Sequence, residues 1–416
     1  MKLVVFGLAV SSSWGNGHAT LWRGLCRALA ARGHFVVFFE HDVPYYASHR
    51  DVRELPGGRL MLYPAWPDVR DIAVGEVNSA DAAIVTSFCP DAAEAERLIL
   101  DSRVPRRVFY DLDTPVTLDR LSRGETVPYI GPRGLVDYDV VLSYTGGASL
   151  DALRERLGAR VAVPLYGSVD PEAHQPTASI DMFRADLSYL GTYAADRQAT
   201  LERLFHGPAW RLPERRFVLG GSQYPVDFPW SPNIFYMRHV APYLHAAFYC
   251  SSRVTLNVTR AAMAATGYCP SGRLFEAAAC GVPVLSDAWA GLEQFFEPDR
   301  EILVAETTDD VVASLERSDA ELREIARRAR ERTLTEHTAN RRAEQLETLL
   351  EHGPLDRRRG PGAIDRETAP EVIDAGTLPG VIDRGTESGV IRQEDQHVGD
   401  YSCRRSGDPH SAAGVL

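Results

Sequence analysis

Short apolar runs alternate with longer stretches of helical spacing along the first 350 or so residues. Leu3–Phe6 has no polar interruption and predicts a strand buried on both faces. Gly7–His18, rich in Ser and Gly, predicts a loop. Ala19–Ala31 then sets Leu21, Leu25 and Leu29 on one helical face, and Gly33 ends it. Phe35–Phe39 predicts the next strand. The pattern continues with strand Ala82–Thr86, helix Ala92–Leu100, and strands Arg107–Tyr110 and Val140–Ser143. Helix Leu150–Leu157 and strand Val161–Pro164 complete the series. Strands separated by helices mark βαβ units and a parallel sheet.

Tyr166–Thr177, with its Pro, Asp and His, predicts a linker. A second series follows, with strands Leu187–Leu190, Arg216–Leu219, Val254–Leu256, Val282–Leu285 and Ile302–Val304. Helices are predicted over Ala195–Phe205, Arg273–Ala279, Asp309–Leu315 and, as one long Arg/Glu-rich element covering a domain face, Glu321–Leu350. The predicted fold class is α/β, with two Rossmann-like domains, 1–170 and 178–352, facing a cleft. Ligands of such sheets bind outside the carboxyl ends of the strands. Beyond Gly353 a nine-residue repeat starts at Gly362 and again at Glu371, with looser copies at Gly380 and Gly389. Four imperfect copies cannot bury a core, so 353–416 is predicted to be a disordered tail.

Composition narrows the chemistry. With 45 basic against 57 acidic side chains, the net charge of −12 argues against a nucleic-acid partner. Lys2 is the only lysine; every other basic side chain is Arg. That excludes a Walker lysine, a Schiff-base lysine and a pyridoxal phosphate anchor. Any phosphate must be held by Arg, His or backbone N–H groups. The six cysteines form no Cys-x-x-Cys pair, which predicts reduced, cytoplasmic usage with neither a disulfide framework nor a zinc site. Leu3–Val10 could mimic a signal sequence but runs straight into Ser-Ser-Ser-Trp-Gly-Asn-Gly-His, which suits a buried strand and its loop. No apolar run is long enough to predict a spanning helix.

The most informative segment is Ser271 to Asp287, which contains Arg273-Leu-Phe-Glu276-Ala-Ala-Ala-Cys-Gly281-Val-Pro283-Val. Ser271 can cap a helix and Gly281 can end it. Arg273 and Glu276, three apart, share a helix face. A carboxylate there can accept two hydrogen bonds from a ribose diol. An Arg beside a helix N-terminus can meet a diphosphate. A plain surface ion pair is the alternative reading of the same spacing.

This segment resembles the donor-site signature of GT-B glycosyltransferases of the family 4 type, and more closely that of the CgeB-like spore-maturation branch, which carries Arg-x-Phe-Glu-x-x-x-x-Gly. The resemblance spans roughly residues 1–350. It implies a GT-B fold, a nucleotide-sugar donor, an acceptor of unspecified kind and no cofactor or metal. It implies that Glu276 holds the ribose and that Ala290-Gly291-Leu292-Glu293 lies near the donor. Two positions depart from family 4: Tyr268 stands where a Glu is usual, eight residues before Glu276, and no Lys is present for the phosphates. Arg260, Arg253 and Arg197 are candidate replacements.

Asn257, ending a predicted strand in Val254-Thr-Leu-Asn257-Val-Thr259-Arg260, and Gly191, in Gly191-Thr192-Tyr193, complete the expected donor side. On the acceptor side, Gly15 and Gly17 allow close backbone approach, and His18 can activate a hydroxyl or meet phosphate. Asp111-Leu-Asp113 invites a weak metal reading; two Asp without further ligands do not make a site. His41-Asp42 follows the second strand and can face the same cleft. A catalytically inactive assembly protein of this fold, or a nucleotide-sugar epimerase or hydrolase, remains open at this point. A dinucleotide oxidoreductase lacks its G-x-G-x-x-G fingerprint.

Overall fold

The structure is a computed structural model and describes residues 1–226 and 228–352. The predicted tail over 353–416, its repeats and Cys403 lie outside the described residues.

The first lobe holds seven strands: β1 Lys2–Gly7, β2 Phe35–His41, β3 Gly58–Tyr63, β4 Ala82–Thr86, β5 Arg106–Asp111, β6 Val140–Ser143 and β7 Ala162–Pro164. Their order is β3-β2-β1-β4-β5-β6-β7, with every pair parallel. Val4 lies between Val37 on one side and Ala83 on the other, so the central strand is apolar on both faces. One face carries a core built around Val4, Phe6, Phe39 and Phe109, the other a core around Leu3, Val5, Trp22 and Phe38.

The second lobe repeats the plan with β8 Ala185–Leu190, β9 Phe217–Gly220, β10 Ile234–Met237, β11 Ser252–Asn257, β12 Val284–Ser286 and β13 Leu303–Val304. The order is β10-β9-β8-β11-β12-β13, again parallel. In each sheet the order reverses beside the first strand, between β1 and β4 and between β8 and β11. Such a switch point splays the connecting loops apart and leaves a crevice.

The α/β class and the two parallel sheets agree with the pattern read from the sequence. The strands that pattern missed are at the sheet edges. β3 and β10 are only partly buried, so neither shows a continuous apolar run. The helices Trp66–Asn78 and Thr114–Ser122 start at Trp-Pro and Thr-Pro, where Pro sits in the first turn and needs no N–H partner. The helix predicted over Ala195–Phe205 runs on to Arg211, through a wide π turn at Glu202–His206 ahead of Gly207-Pro208. A proline there removes one ladder bond and crowds the preceding turn, which the wider turn relieves.

The single helix predicted over Glu321–Leu350 is instead two, Asp319–Glu336 and Ala339–His352. The break falls at His337, whose ring is buried against Phe275, Phe295 and Phe296. The first helix packs its Ala329 into the second lobe's core; the second sends Ala343, Leu346 and Leu350 into the core of the first lobe. The chain therefore crosses between the lobes at Val169 and again at Thr338. The two crossings pair with each other: Val169 N–H donates to His337 O (3.0 Å) and Ala339 N–H to Val169 O (2.7 Å).

Candidate active site between the two lobes

The helix Gly272–Ala279 begins at Ser271, whose side chain accepts from the Arg273 N–H. Its buried face, Leu274, Phe275 and Ala278, fixes it in the core and turns Arg273 toward the carboxyl ends of β8 and β11. There the guanidinium donates through Nη1 to Asn257 Oδ1 (2.8 Å) and through Nε to the Leu190 carbonyl, and lies over the Tyr189 ring. Asn257 is fully buried, and its amide is held by Ser286 Oγ (3.0 Å). The structure thus places Asn257 behind Arg273, as its orienter. A Cβ on Gly191 would meet Arg273 Nη2 at 3.0 Å, so the absent side chain is what lets this strand end approach the guanidinium. Arg197 donates to Thr192 O (3.2 Å) and Arg260 pairs with Asp196 (3.0 Å), both at the same sheet edge. Arg253 does not belong here. It sits near the amino end of β11, bound to Leu315 O, Arg317 O and Asp319, and is structural. Glu293 is exposed on the turn Leu292–Gln294, following Gly291.

Glu276 lies one turn beyond Arg273. Tyr249 donates its hydroxyl to Glu276 Oε2 (3.1 Å), and the rings of His174 and His245 complete the surround. Burial pushes this carboxyl up, but His174, His245, the Tyr249 hydroxyl and Arg273 together outweigh it and hold it below the ordinary glutamate value. It is therefore ionised at neutral pH. Burial lowers His245 from its usual value, against the opposing pull of the Glu276 carboxylate. None of His174, His245 or Tyr249 was visible as a site residue in the sequence; the helix His245–Cys250 that carries two of them is too short to show a periodicity.

In the first lobe, the loop after β1 is clamped from beneath. Glu40, fully buried at the end of β2, accepts from Val10 N–H (2.7 Å), Ser11 N–H (2.9 Å) and Ser11 Oγ–H (2.5 Å). Asn16 caps the helix Gly17–Ala31 by accepting from His18 N–H, and its amide donates to Ala9 O and Ser12 O. Gly15 adopts φ +60 beneath the Tyr45 hydroxyl, whereas Gly17 simply opens the helix with free space around it. This frame delivers His18 to Asp113, Nε2 to Oδ2 at 2.7 Å. The ring's Nδ1 is buried with no hydrogen-bond partner among the described residues. Asp113 entered the sequence reading only as half of a metal motif. The structure gives its carboxylate to His18 instead, while Asp111 is turned inward, Oδ1 accepting from Asp113 N–H (3.0 Å). His41 and Asp42 have separate partners: Asp91 (2.8 Å), which also accepts from Tyr63, and Arg50.

Burial pushes the Asp111 carboxyl up to about 7. The folded chain then keeps a proton at Asp111 that the unfolded chain loses near pH 4, so stability falls as pH rises between those values, by about 1.4 kcal/mol per unit. Asp111→Asn keeps the Oδ1 acceptor and removes the charge. It should raise the thermal midpoint by several degrees at pH 8 and leave it unchanged at pH 4. Equal effects at both values would mean that the carboxyl does not titrate in this window.

The lobes meet along this crevice. Gly146 N–H donates to Tyr268 O (2.9 Å), Thr145 Oγ1 to Cys269 Sγ (3.1 Å) and Gln223 Nε2 to Tyr45 Oη (3.3 Å). The Trp14 ring reaches His239 at 4.7 Å between centroids. Tyr268 is the wedge. It holds a left-handed φ of 51, and its ring lies between Gly147 and Gly291, so close to both that a Cβ on either would overlap it. The position where family 4 places a Glu is thus filled by a packing aromatic. Gly147 adopts φ 58 and ψ −143, a conformation open essentially to glycine alone. Gly147→Ala should therefore cost about 3 kcal/mol or more, strain and overlap combined. Urea unfolding measures it, and a loss under about 1 kcal/mol would show the wedge to be loose.

Residues 197–348 match a family described as glycosyl transferase-like. No curated protein matches the chain. Sucrose-phosphate synthase from Thermosynechococcus elongatus aligns in structure with a TM-score of 0.60, over 84% of this chain and 98% of that one, at 15% identity. An alpha-glucosyltransferase in complex with UDP gives 0.61 over 84% and 99% at 12% identity. The fold is GT-B. HepE from Anabaena, in complex with UDP and glucose, gives 0.58 over 84% and 99% at 12% identity. In this GT-B arrangement the Arg273 cluster and the His18–Asp113 pair lie at the carboxyl ends of the two sheets. The helices Thr114–Ser122 and Ala261–Thr266, which follow Asp113 and Arg260, touch across the crevice. Among the described residues no helix is long and apolar enough to cross a membrane.

Proposed function

We propose that this chain is a glycosyltransferase that moves a hexosyl group from a nucleotide-sugar to a hydroxyl of an acceptor. The observation that carries this reading is the helix Gly272–Ala279. Its N-terminus and Arg273 stand at the switch point of the second sheet, with an ionised Glu276 one turn on. The diphosphate would lie against Arg273, the helix N-terminus and the backbone at Gly191, with Arg197 and Arg260 behind. Glu276 would accept from the ribose hydroxyls, and Glu293 would border the sugar. The Gly15–Gly17 loop and His18 would meet the acceptor.

In the transfer step the acceptor oxygen bonds to the anomeric carbon as the bond from that carbon to the diphosphate breaks. The acceptor proton passes to His18 Nδ1, which acceptor binding must first uncover, while Asp113 holds the Nε2–H and stabilises the imidazolium. The leaving diphosphate is neutralised by guanidinium groups and helix N–H groups, so we propose a metal-independent reaction. Closure of the lobes excludes water from the donor. The Arg-x-Phe-Glu pattern favours a CgeB-like relation, and the free cysteines favour a cytoplasmic enzyme.

The test is calorimetry of the full chain with nucleoside diphosphates and sugar nucleotides, uridine compounds first because UDP is bound in the similar structures. A donor-consumption assay over an acceptor panel follows. Donor binding with product formed only when an acceptor is present is the expected result. Failure of every sugar nucleotide and diphosphate to bind would end the proposal.

A further inference from the structure

His174, His245 and Glu276 each offer a ligand atom, and these atoms all lie within 4.8 Å of one another. His174 comes from the linker between the lobes and is 7% exposed, with neither ring nitrogen hydrogen-bonded among the described residues. Two bare nitrogens on a buried imidazole carry a desolvation cost that no hydrogen bond among the described residues offsets. His245 is arranged differently. Its Nε2 is bound to the Val240 carbonyl at 3.1 Å, which makes that nitrogen the N–H and leaves a lone pair on Nδ1, buried and without a partner among the described residues. A backbone carbonyl that fixes the tautomer of a ring through its far nitrogen is the usual second layer of a metal-ligating histidine. Glu276 shows the same division: Oε2 accepts from the Tyr249 hydroxyl, and Oε1 lies on the side of Gly272 at the helix start.

We infer that His174, His245 and Glu276 form a binding site for a late first-row divalent cation of the zinc class, and that an ion there excludes a nucleotide-sugar from Glu276. The exclusion rests on the donor reading above; the metal site does not. Two imidazoles and one carboxylate are a borderline donor set, suited to zinc and poorly suited to magnesium or calcium, which favour oxygen alone. Zinc bonds of about 2.0–2.2 Å would bring the three ligand atoms to roughly 3.4 Å apart, a closure within reach of side-chain rotation. An ion so held would also tie the linker to the helix that carries Glu276.

The full chain, freed of metal with a chelator, is titrated with zinc chloride and separately with cobalt chloride. One equivalent should bind, cobalt should show the visible absorption of a four-coordinate site, and zinc should raise the thermal midpoint. His174→Gln and His245→Gln should each weaken zinc binding at least tenfold. Saturating zinc should weaken nucleoside diphosphate binding at least tenfold in the natural chain and leave it unchanged in His174→Gln. That variant controls for zinc captured by the nucleotide itself or by other histidines. Zinc binding equal in the natural chain and both variants would overturn the site. Equal nucleotide affinity with and without zinc would overturn the exclusion. If no nucleotide binds at all, the donor reading fails by itself, and the zinc and cobalt titrations still decide the metal site.

Discussion

Removing the imidazole with His18→Ala, or the charge behind it with Asp113→Asn, should lower sugar transfer by roughly 10²–10⁴-fold, the usual contribution of a positioned general base. Donor affinity should stay as it was, because both residues belong to the first lobe and the donor groups to the second. His18 is held by its own backbone to Asn16 and by its ring to Asp113 at 2.7 Å, so its ring has one free nitrogen to offer. An amide at 113 would still accept the Nε2–H through its oxygen but could not stabilise the imidazolium that forms as the acceptor proton arrives. The loss should therefore appear in kcat, and Asp113→Glu should restore part of it. Full transfer by His18→Ala would remove His18 from the chemistry.

Arg273→Ala should weaken nucleoside diphosphate binding by roughly 10–100-fold, since a hydrogen bond to a charged partner is worth about 1.5–3 kcal/mol. Lysine should not rescue it. The guanidinium fork bonds the Leu190 carbonyl and Asn257 Oδ1 together while lying over Tyr189, a geometry that a single ammonium cannot reproduce. The alanine variant also leaves Asn257 Oδ1 buried without its donor, at about 1–3 kcal/mol of stability. Binding must therefore be measured well below the variant's thermal midpoint. An unchanged affinity in folded protein would place the phosphates elsewhere.

Arg273, Glu276 and His18 were legible in the sequence as candidates, for different reasons. Arg273 and Glu276 stood out because helix spacing, cap and terminator agree over one short segment. His18 stood out because it closes a Gly-rich loop after a buried strand. What could not be read was every partner supplied from a distance. Asp113 is 95 positions from His18, and nothing local distinguishes a carboxylate that orients an imidazole from one half of a metal motif. Glu40 follows the apolar run Phe35–Phe39 with nothing local to mark it, yet it fixes the whole first loop. His174 lay in a segment whose Pro, Asp and His content says only linker. Tyr268 is the reverse case: the sequence showed a missing carboxylate, and the fold shows a ring filling the space between two glycines. Arg253 shared its residue type with Arg260 but lies at the opposite end of the same strand, a distinction that depends on chain direction through the sheet. The long Arg/Glu pattern hid its break because His337 is neither Gly nor Pro; burial and the Arg342 charge push its ring down to about 3, so it is neutral among the phenylalanines.

That break has a mechanical consequence. Because the backbone passes between the halves twice, and the two passages are stitched side by side at Val169 and Thr338, they act as a paired axle. Swinging about that axle leaves the stitching intact, while twisting or sliding one half past the other would tear it. The terminal helix thus serves as a second leaf of the hinge, and any opening of the crevice is constrained by both passages at once.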